Sequence, residues 1–268
     1  SVHLEGYPNV DEKFRDKEIE SVMQRIIKIL VLARQLRDKL HIKIKTPLRE
    51  LIIVDRNESV LNTYKPFEEA MKSELNIQKI SYDTSKRRYI MPLCEPNPRT
   101  LAKKLGNFTI GQSLVGALHW KTIEKLQKEG KIFNRDMGIW ITLEDVNIKA
   151  VPRSHDDKFS CRDDDPKPPD QGYHVANEGD IIVCLDGRVT DRMRSEGLAR
   201  EFASLINKAR KTLGMEKSQK AIVRFYTNST TLQDAINQNS VKITSQAICD
   251  SISFDFSLFS DPKAFHSL

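Results

Sequence analysis

The sequence predicts an α+β protein: an N-terminal helical segment that belongs to a helical bundle, followed by two small mixed α/β units. Three observations predict it. Apolar residues recur at helical spacing from about Asp11 to Leu40, short strand-like runs then alternate with amphipathic helices, and an Asp/Pro-rich stretch divides the remainder. The boundaries this implies are 1–46 for the end of the bundle, 47–152 for an α+β unit, 153–173 for a flexible linker and 174–268 for a C-terminal α/β unit.

The first helix carries Ile19, Val22, Met23, Ile26, Ile29, Leu30, Ala33, Leu36 and Leu40 on one broad face, with Ile27, Val31 and Leu32 beyond it. A face that wide wants several neighbours, and one helix cannot make a bundle. The chain also begins without methionine. Both features lead us to expect a piece of a longer protein. HIKIKT, residues 41–46, then alternates and reads as a strand; Pro47 interrupts the ladder, and LRELIIVD resumes it. Residues from about Ser59 to Leu75 read as a helix, NIQKISYD and RRYIMPLC as strands, and RTLAKKLGNFTIGQSLVGALHW as a helix loosened by Gly106 and Gly111. KTIEKLQKEGK is a short helix ending at Gly130, and GIWITL and VNIKAV follow as strands. RSHDDKFSCRDDDPKPPDQG is too polar to bury a core. After it come a buried strand in DIIVCLD, a long helix, the strand AIVRFYT, a helix from about Thr231 to Ile248 and the strand SISFDFSLF.

The long helix, SEGLAREFASLINKARKTLG, has an apolar stripe of Leu198, Phe202, Leu205, Ile206, Ala209 and Leu213 opposite Arg200, Ser204, Lys208 and Lys211. Gly214 suits a left-handed C-terminal cap, and Arg210 and Lys211 suit the negative end of the helix dipole. An interior glycine such as Gly197 costs a helix roughly 1 kcal/mol against alanine, so its presence predicts a close approach of another backbone.

At 268 residues, with 39% of them hydrophobic, the chain can bury ordinary cores. Its +6 charge arises from 43 basic and 37 acidic residues, a modestly basic surface that permits a nucleic-acid partner without implying one. Cys94, Cys161, Cys184 and Cys249 form no Cys-x-x-Cys pair and have no histidine at ligand spacing, so we predict neither zinc nor a disulfide framework. No apolar run reaches membrane-spanning length, and SVHLEGYPNVDEKFRDK has no signal-peptide core. Asp163, Asp164 and Asp165 lack the spaced ligands of a calcium loop, and no Ser/His/Asp set or phosphate-cradling glycine loop is present, so no catalytic residue is nominated. His119 and Trp120 are expected in a core or half-buried role.

EGLAREFASLINKARKTLG, the preceding GYHVANEGDIIVCLDGRVT and the earlier IKIKTPLRELIIV resemble the C-terminal part of isoleucyl-tRNA synthetases, the eukaryotic cytosolic type more than the bacterial. ELNIQKI, AKKLG and ITLEDVNI extend the resemblance in the same order over most of residues 1 to about 250. The resemblance implies that the first helix ends an anticodon-binding bundle and that the rest is the α/β appendage after it. It implies a cytoplasmic protein partnered by isoleucine tRNA and by upstream catalytic domains, where ATP and magnesium would serve the ligase reaction; no cofactor is expected in this segment. GMEKSQKA superficially matches the family's KMSKS loop at Lys217 and Ser218, but it follows the EGLARE helix, where the resemblance puts a turn. Beside the implied bundle, Arg34, Arg37, Lys39, Lys43 and Lys45 form a candidate path for tRNA phosphates. A solvated polar face is the other account of these cations. Two functions therefore stand: tRNA binding in support of aminoacylation, or a scaffolding appendage that docks the bundle or other synthetases.

Overall fold

The computed structural model describes residues 15–156 and 166–257. The expected stretch from Asp11 to Phe14 and the three consecutive aspartates lie outside them. Helix α1 (Lys17–Lys39) starts where the Asp16 carboxylate accepts the amide hydrogens of Glu18 and Ile19 at 2.9 and 3.0 Å. Ile26, Ile29, Leu32, Ala33 and Leu36 enter the core, whereas Ile19, Met23, Ile27 and Val31 stay 37–55% exposed on the other side. The apolar surface of this helix is thus only half covered.

HIKIKT is not a strand. Leu40 and His41 close the helix by bonding back to Leu36 and Asp38, His41 takes φ of 55°, and the Thr46 amide donates to the Lys43 carbonyl at 3.0 Å. Alternation satisfies one face of a strand, but a strand also needs a neighbouring strand for its backbone, and none among the described residues pairs with this segment. Strand β1 (Leu48–Val54) begins only after Pro47. The helix expected from Ser59 is two, α2 (Glu58–Tyr64) and α3 (Glu68–Leu75), separated by a tight turn at Pro66, which has no amide hydrogen to continue the ladder.

Strand β2 (Ile77–Asp83) pairs parallel with β1. The same sheet takes two strands from far along the chain, β7 (Tyr173–Glu178) and β8 (Ile181–Asp186), in the order β2-β1-β8-β7, with β8 antiparallel to both neighbours. All six residues of β8 are buried. Val183 and Leu185 face the core under α1, and Ile182 and Cys184 face Tyr89 and Ile90 on the opposite side. Burial on both faces explains the unbroken apolar run in IIVCL.

After the single-turn helix α4 (Lys86–Tyr89), strands β3 (Ile90–Pro96) and β6 (Val146–Pro152) pair antiparallel and bracket a second core. Between them lie α5 (Leu101–Leu105), α6 (Phe108–Gly116), α7 (Trp120–Glu129) and the hairpin of β4 (Lys131–Asn134) and β5 (Ile139–Thr142). The single helix expected over 99–120 is broken at Gly106, whose φ of 69° leaves the helical region, and Asn107 caps the next segment. A third core joins α8 (Asp191–Thr212), α9 (Thr230–Gln238) and α10 (Ser240–Ala247) to the parallel pair β9 (Ala221–Phe225) and β10 (Cys249–Phe254). Here too an expected continuous helix is two, interrupted at Asn239. No helix among the described residues is long and apolar enough to cross a membrane.

Candidate nucleic-acid interface

The five cations singled out above converge on one corner, where α1 ends, the 40–47 turn begins and α8 docks. They do not share one role. Arg37 lies on the stripe Ile26, Ile29, Ala33 and is only 2% exposed. Its Nη1 donates to the Lys43 and Thr46 carbonyls, both at 3.1 Å, and its Nη2 to those of Thr46, Leu75 and Asn76 at 3.2, 2.8 and 3.3 Å. Burial pushes the guanidinium down to about 10, which still leaves it charged at neutral pH. Arg37 therefore leaves the phosphate path: it fastens the turn and the α3–β2 corner to the end of α1. The stripe it continues was the signal in the sequence, and its charge concealed it.

The other four keep contact with solvent. Arg34 is exposed and pairs with Glu74. Lys39 is exposed and Lys45 half-buried, and neither carries an ion pair among the described residues. The Lys43 ammonium reaches Glu201 on α8 at 2.8 Å, with 73% of its side chain exposed.

What holds these cations is the docking of α8. A Cβ added at Gly197 would stand 2.6 Å from Thr46 Oγ1 and 3.1 Å from the Thr46 Cα, so the two backbones meet as closely as the lone interior glycine predicts. Asn76, in the left-handed conformation at the end of α3, donates to the carbonyls of Ile44 and Lys45, both at 3.0 Å, and accepts from Arg200 of α8. The lysine-bearing turn is thus clamped by Arg37 from within, by Asn76 from one side and by α8 from the other. Beside it opens a cleft of about 480 Å³ whose walls include His41, Lys43, Arg194 and Glu201. Asn76, Arg194 and Glu201 could not be singled out in the sequence because they are brought here from elements far apart in the chain.

Other charged, apolar and cysteine residues lie elsewhere. Lys104 pairs at 2.6 Å with the buried Asp145. Arg210, 7% exposed, donates to the carbonyls of Ile248, Glu216 and Gln219 and so holds the GMEKSQKA segment as the turn after α8, with Lys217 and Ser218 exposed. The apolar stripe of α8 is narrower than its pattern: Ala199, Ala203 and Ile206 are buried, Phe202 is half-buried, and Leu205 and Leu213 are 38% and 69% exposed. His119 and Trp120 are half-buried. Cys94, Cys184 and Cys249 are buried free thiols, and the described residues contain no group of His, Cys, Asp or Glu able to hold a metal ion. Chemically the corner offers two lysines with no ion pair among the described residues, Lys39 and Lys45, beside two cations already engaged by carboxylates, Arg34 by Glu74 and Lys43 by Glu201.

No family model matches the chain. Among individual proteins it is similar to an isoleucine–tRNA ligase of Bacteroides fragilis, 30% identical over 97% of this chain and 22% of the relative. It is also similar to an isoleucine–tRNA ligase of Bdellovibrio bacteriovorus, 27% identical over the whole chain and 24% of the relative. The cytoplasmic isoleucine–tRNA ligase of Saccharomyces cerevisiae is 27% identical over 84% of the chain and 20% of its own length. The chain spans between a fifth and a quarter of the length of these curated relatives. Across nearly its full extent it is homologous to aminoacyl-tRNA synthetases specific for isoleucine, ligases of protein biosynthesis.

Proposed function

We propose that the chain is the tRNA-binding C-terminal part of a cytoplasmic isoleucine–tRNA ligase, and that it supports aminoacylation carried out by other parts of that enzyme, which would use ATP and magnesium. The observation that carries this is the clamped turn: homology to the ligases coincides with a rigid corner presenting Lys39, Lys43 and Lys45 with Arg34 beside them. The half-covered apolar surface of α1 supports helical neighbours beyond the described residues, as expected for the last helix of an anticodon-binding bundle. Assignment to the eukaryotic cytosolic type is part of this proposal, since relatives of comparable identity come from bacteria and from yeast.

The test is binding of the chain to isoleucine tRNA and to a non-cognate tRNA at two salt concentrations. Neutralising Lys39, Lys43 and Lys45 to Gln is expected to weaken both tRNAs alike, because phosphate contacts position without specifying. The slope of log affinity against log salt is expected to flatten by roughly 0.7–0.9 for each phosphate that is no longer neutralised. Unchanged affinity and slope in a variant with an unaltered melting curve would overturn the phosphate path and favour a scaffolding appendage that docks the bundle or other synthetases. Isoleucine-dependent pyrophosphate exchange by the pure chain would contradict its assignment as a non-catalytic part.

A further inference from the structure

A second feature belongs to a different core from the lysine turn and lies on the β4–β5 hairpin. Its strands alternate strictly. Ile132 and Ile141 point into the second core at 7% and 0% exposure, while Phe133 and Trp140, directly opposed in the ladder, point outward at 50% and 51%. Their rings lie 5.2 Å apart at 55°. A cross-strand aromatic pair steadies a hairpin by roughly 0.2–1 kcal/mol, and that alone would account for one such pair on an otherwise polar surface. The surroundings ask for more. Lys131 stands 4.9 Å from the Trp140 ring centroid, and Met137, 39% exposed in the turn, extends the apolar surface. Lys128, Lys131 and Arg135 carry no ion pair among the described residues, and the acidic Glu129 nearby is engaged by Lys125 at 3.9 Å. Asp136 is the remaining acid of the turn.

We propose that Phe133 and Trp140 form a stacking platform for unpaired nucleobases, with Lys128, Lys131 and Arg135 meeting the phosphates that join them. Half-exposed aromatic rings beside unneutralised cations are what a single strand needs: every base has a π face, and the backbone between bases is anionic. An apolar protein partner would leave those cations desolvated and unpaired. A duplex keeps its bases stacked on one another and offers the rings nothing. The platform does not depend on the lysine turn, and its test needs no tRNA.

The experiment uses the whole chain carrying Lys39→Gln, Lys43→Gln and Lys45→Gln, so that the turn contributes little, with a short fluorescent oligouridylate and an RNA duplex of equal length as probes. The single strand is expected to bind in preference to the duplex and to quench tryptophan fluorescence, and that quenching should vanish in Trp140→Phe while most of the affinity remains. Trp140→Ala and Phe133→Ala should each weaken single-strand binding by about five- to 150-fold. Lys131→Gln should instead flatten the salt slope by about 0.7. Should Trp140→Ala disturb the hairpin, Trp140→Leu keeps an apolar side chain there without a π face, and the same weakening is expected. Undiminished binding by Trp140→Leu, an equal weakening of duplex binding, or a change only in self-association measured by sedimentation would each overturn the proposal.

Discussion

Replacing Gly197 by Ala sets two effects of opposite sign against each other. Within a helix the change relieves the conformational cost of glycine, a gain of roughly 1 kcal/mol. At this site the new methyl would stand 2.6 Å from Thr46 Oγ1, 3.1 Å from its Cα and 3.2 Å from its Cβ. The hydroxyl can rotate away, but the Cα belongs to a turn pinned by Arg37 and Asn76, so α8 or the turn must shift. Overpacking of this kind costs about 1–3 kcal/mol. The net expectation is a destabilisation of between about 0 and 2 kcal/mol, centred near 1 kcal/mol. Gly116, near the end of α6, is the internal control, because a Cβ there meets nothing within 4 Å. Gly116→Ala should therefore keep most of the helix gain and stabilise by about 0.5–1 kcal/mol. Urea unfolding followed by circular dichroism measures both, and adding Thr46→Ala to Gly197→Ala should restore part of the stability. Stabilisation by Gly197→Ala as large as that by Gly116→Ala would refute the close approach and with it the clamp.

Three further outcomes follow from the same structure. Arg37→Met removes donors from buried carbonyls and should destabilise by about 2–4 kcal/mol, whereas Lys39→Met should stay within about 0.5 kcal/mol, both read from denaturant midpoints. Phe202→Ala should cost about 1.5–3 kcal/mol, less than the 3–5 kcal/mol of a fully buried phenylalanine, because Phe202 is half-buried with its ring edge-on to Phe225 at 5.1 Å; Lys208→Ala should change melting little. For Glu50, burial works to raise the carboxyl, but bonds from Ser81, Lys79 at 2.9 Å and Tyr173 at 2.7 Å outweigh it and hold it down to about 2. A depressed folded value means its stabilisation is complete above the unfolded value near 4.5 and is lost as pH falls toward 2, so Glu50→Gln should flatten the acid limb of a stability-against-pH curve over that window.

Local physics made part of this protein legible from its residues alone. The 3.6-residue stripe located α1, the apolar run IIVCL marked a strand buried on both faces, and the lone interior glycine of α8 announced a close backbone approach, because each is a constraint that one segment imposes on itself. Tertiary structure decided whatever needed a partner. HIKIKT has the alternation of a strand but no strand beside it among the described residues, and its carbonyls accept from the Arg37 and Asn76 side chains instead, so it is a turn; Tyr173–Glu178, whose pattern is weak, is a strand because β8 lies beside it. The charge of Arg37 suggested a surface residue, and only the meeting of four carbonyl groups from the 40–47 turn and the α3–β2 corner made burial favourable. The candidate interface is likewise a product of assembly: its lysines are adjacent in sequence, but Asn76 and Gly197, which fix their turn, come from distant segments, and no periodicity within either segment encodes that the two will touch.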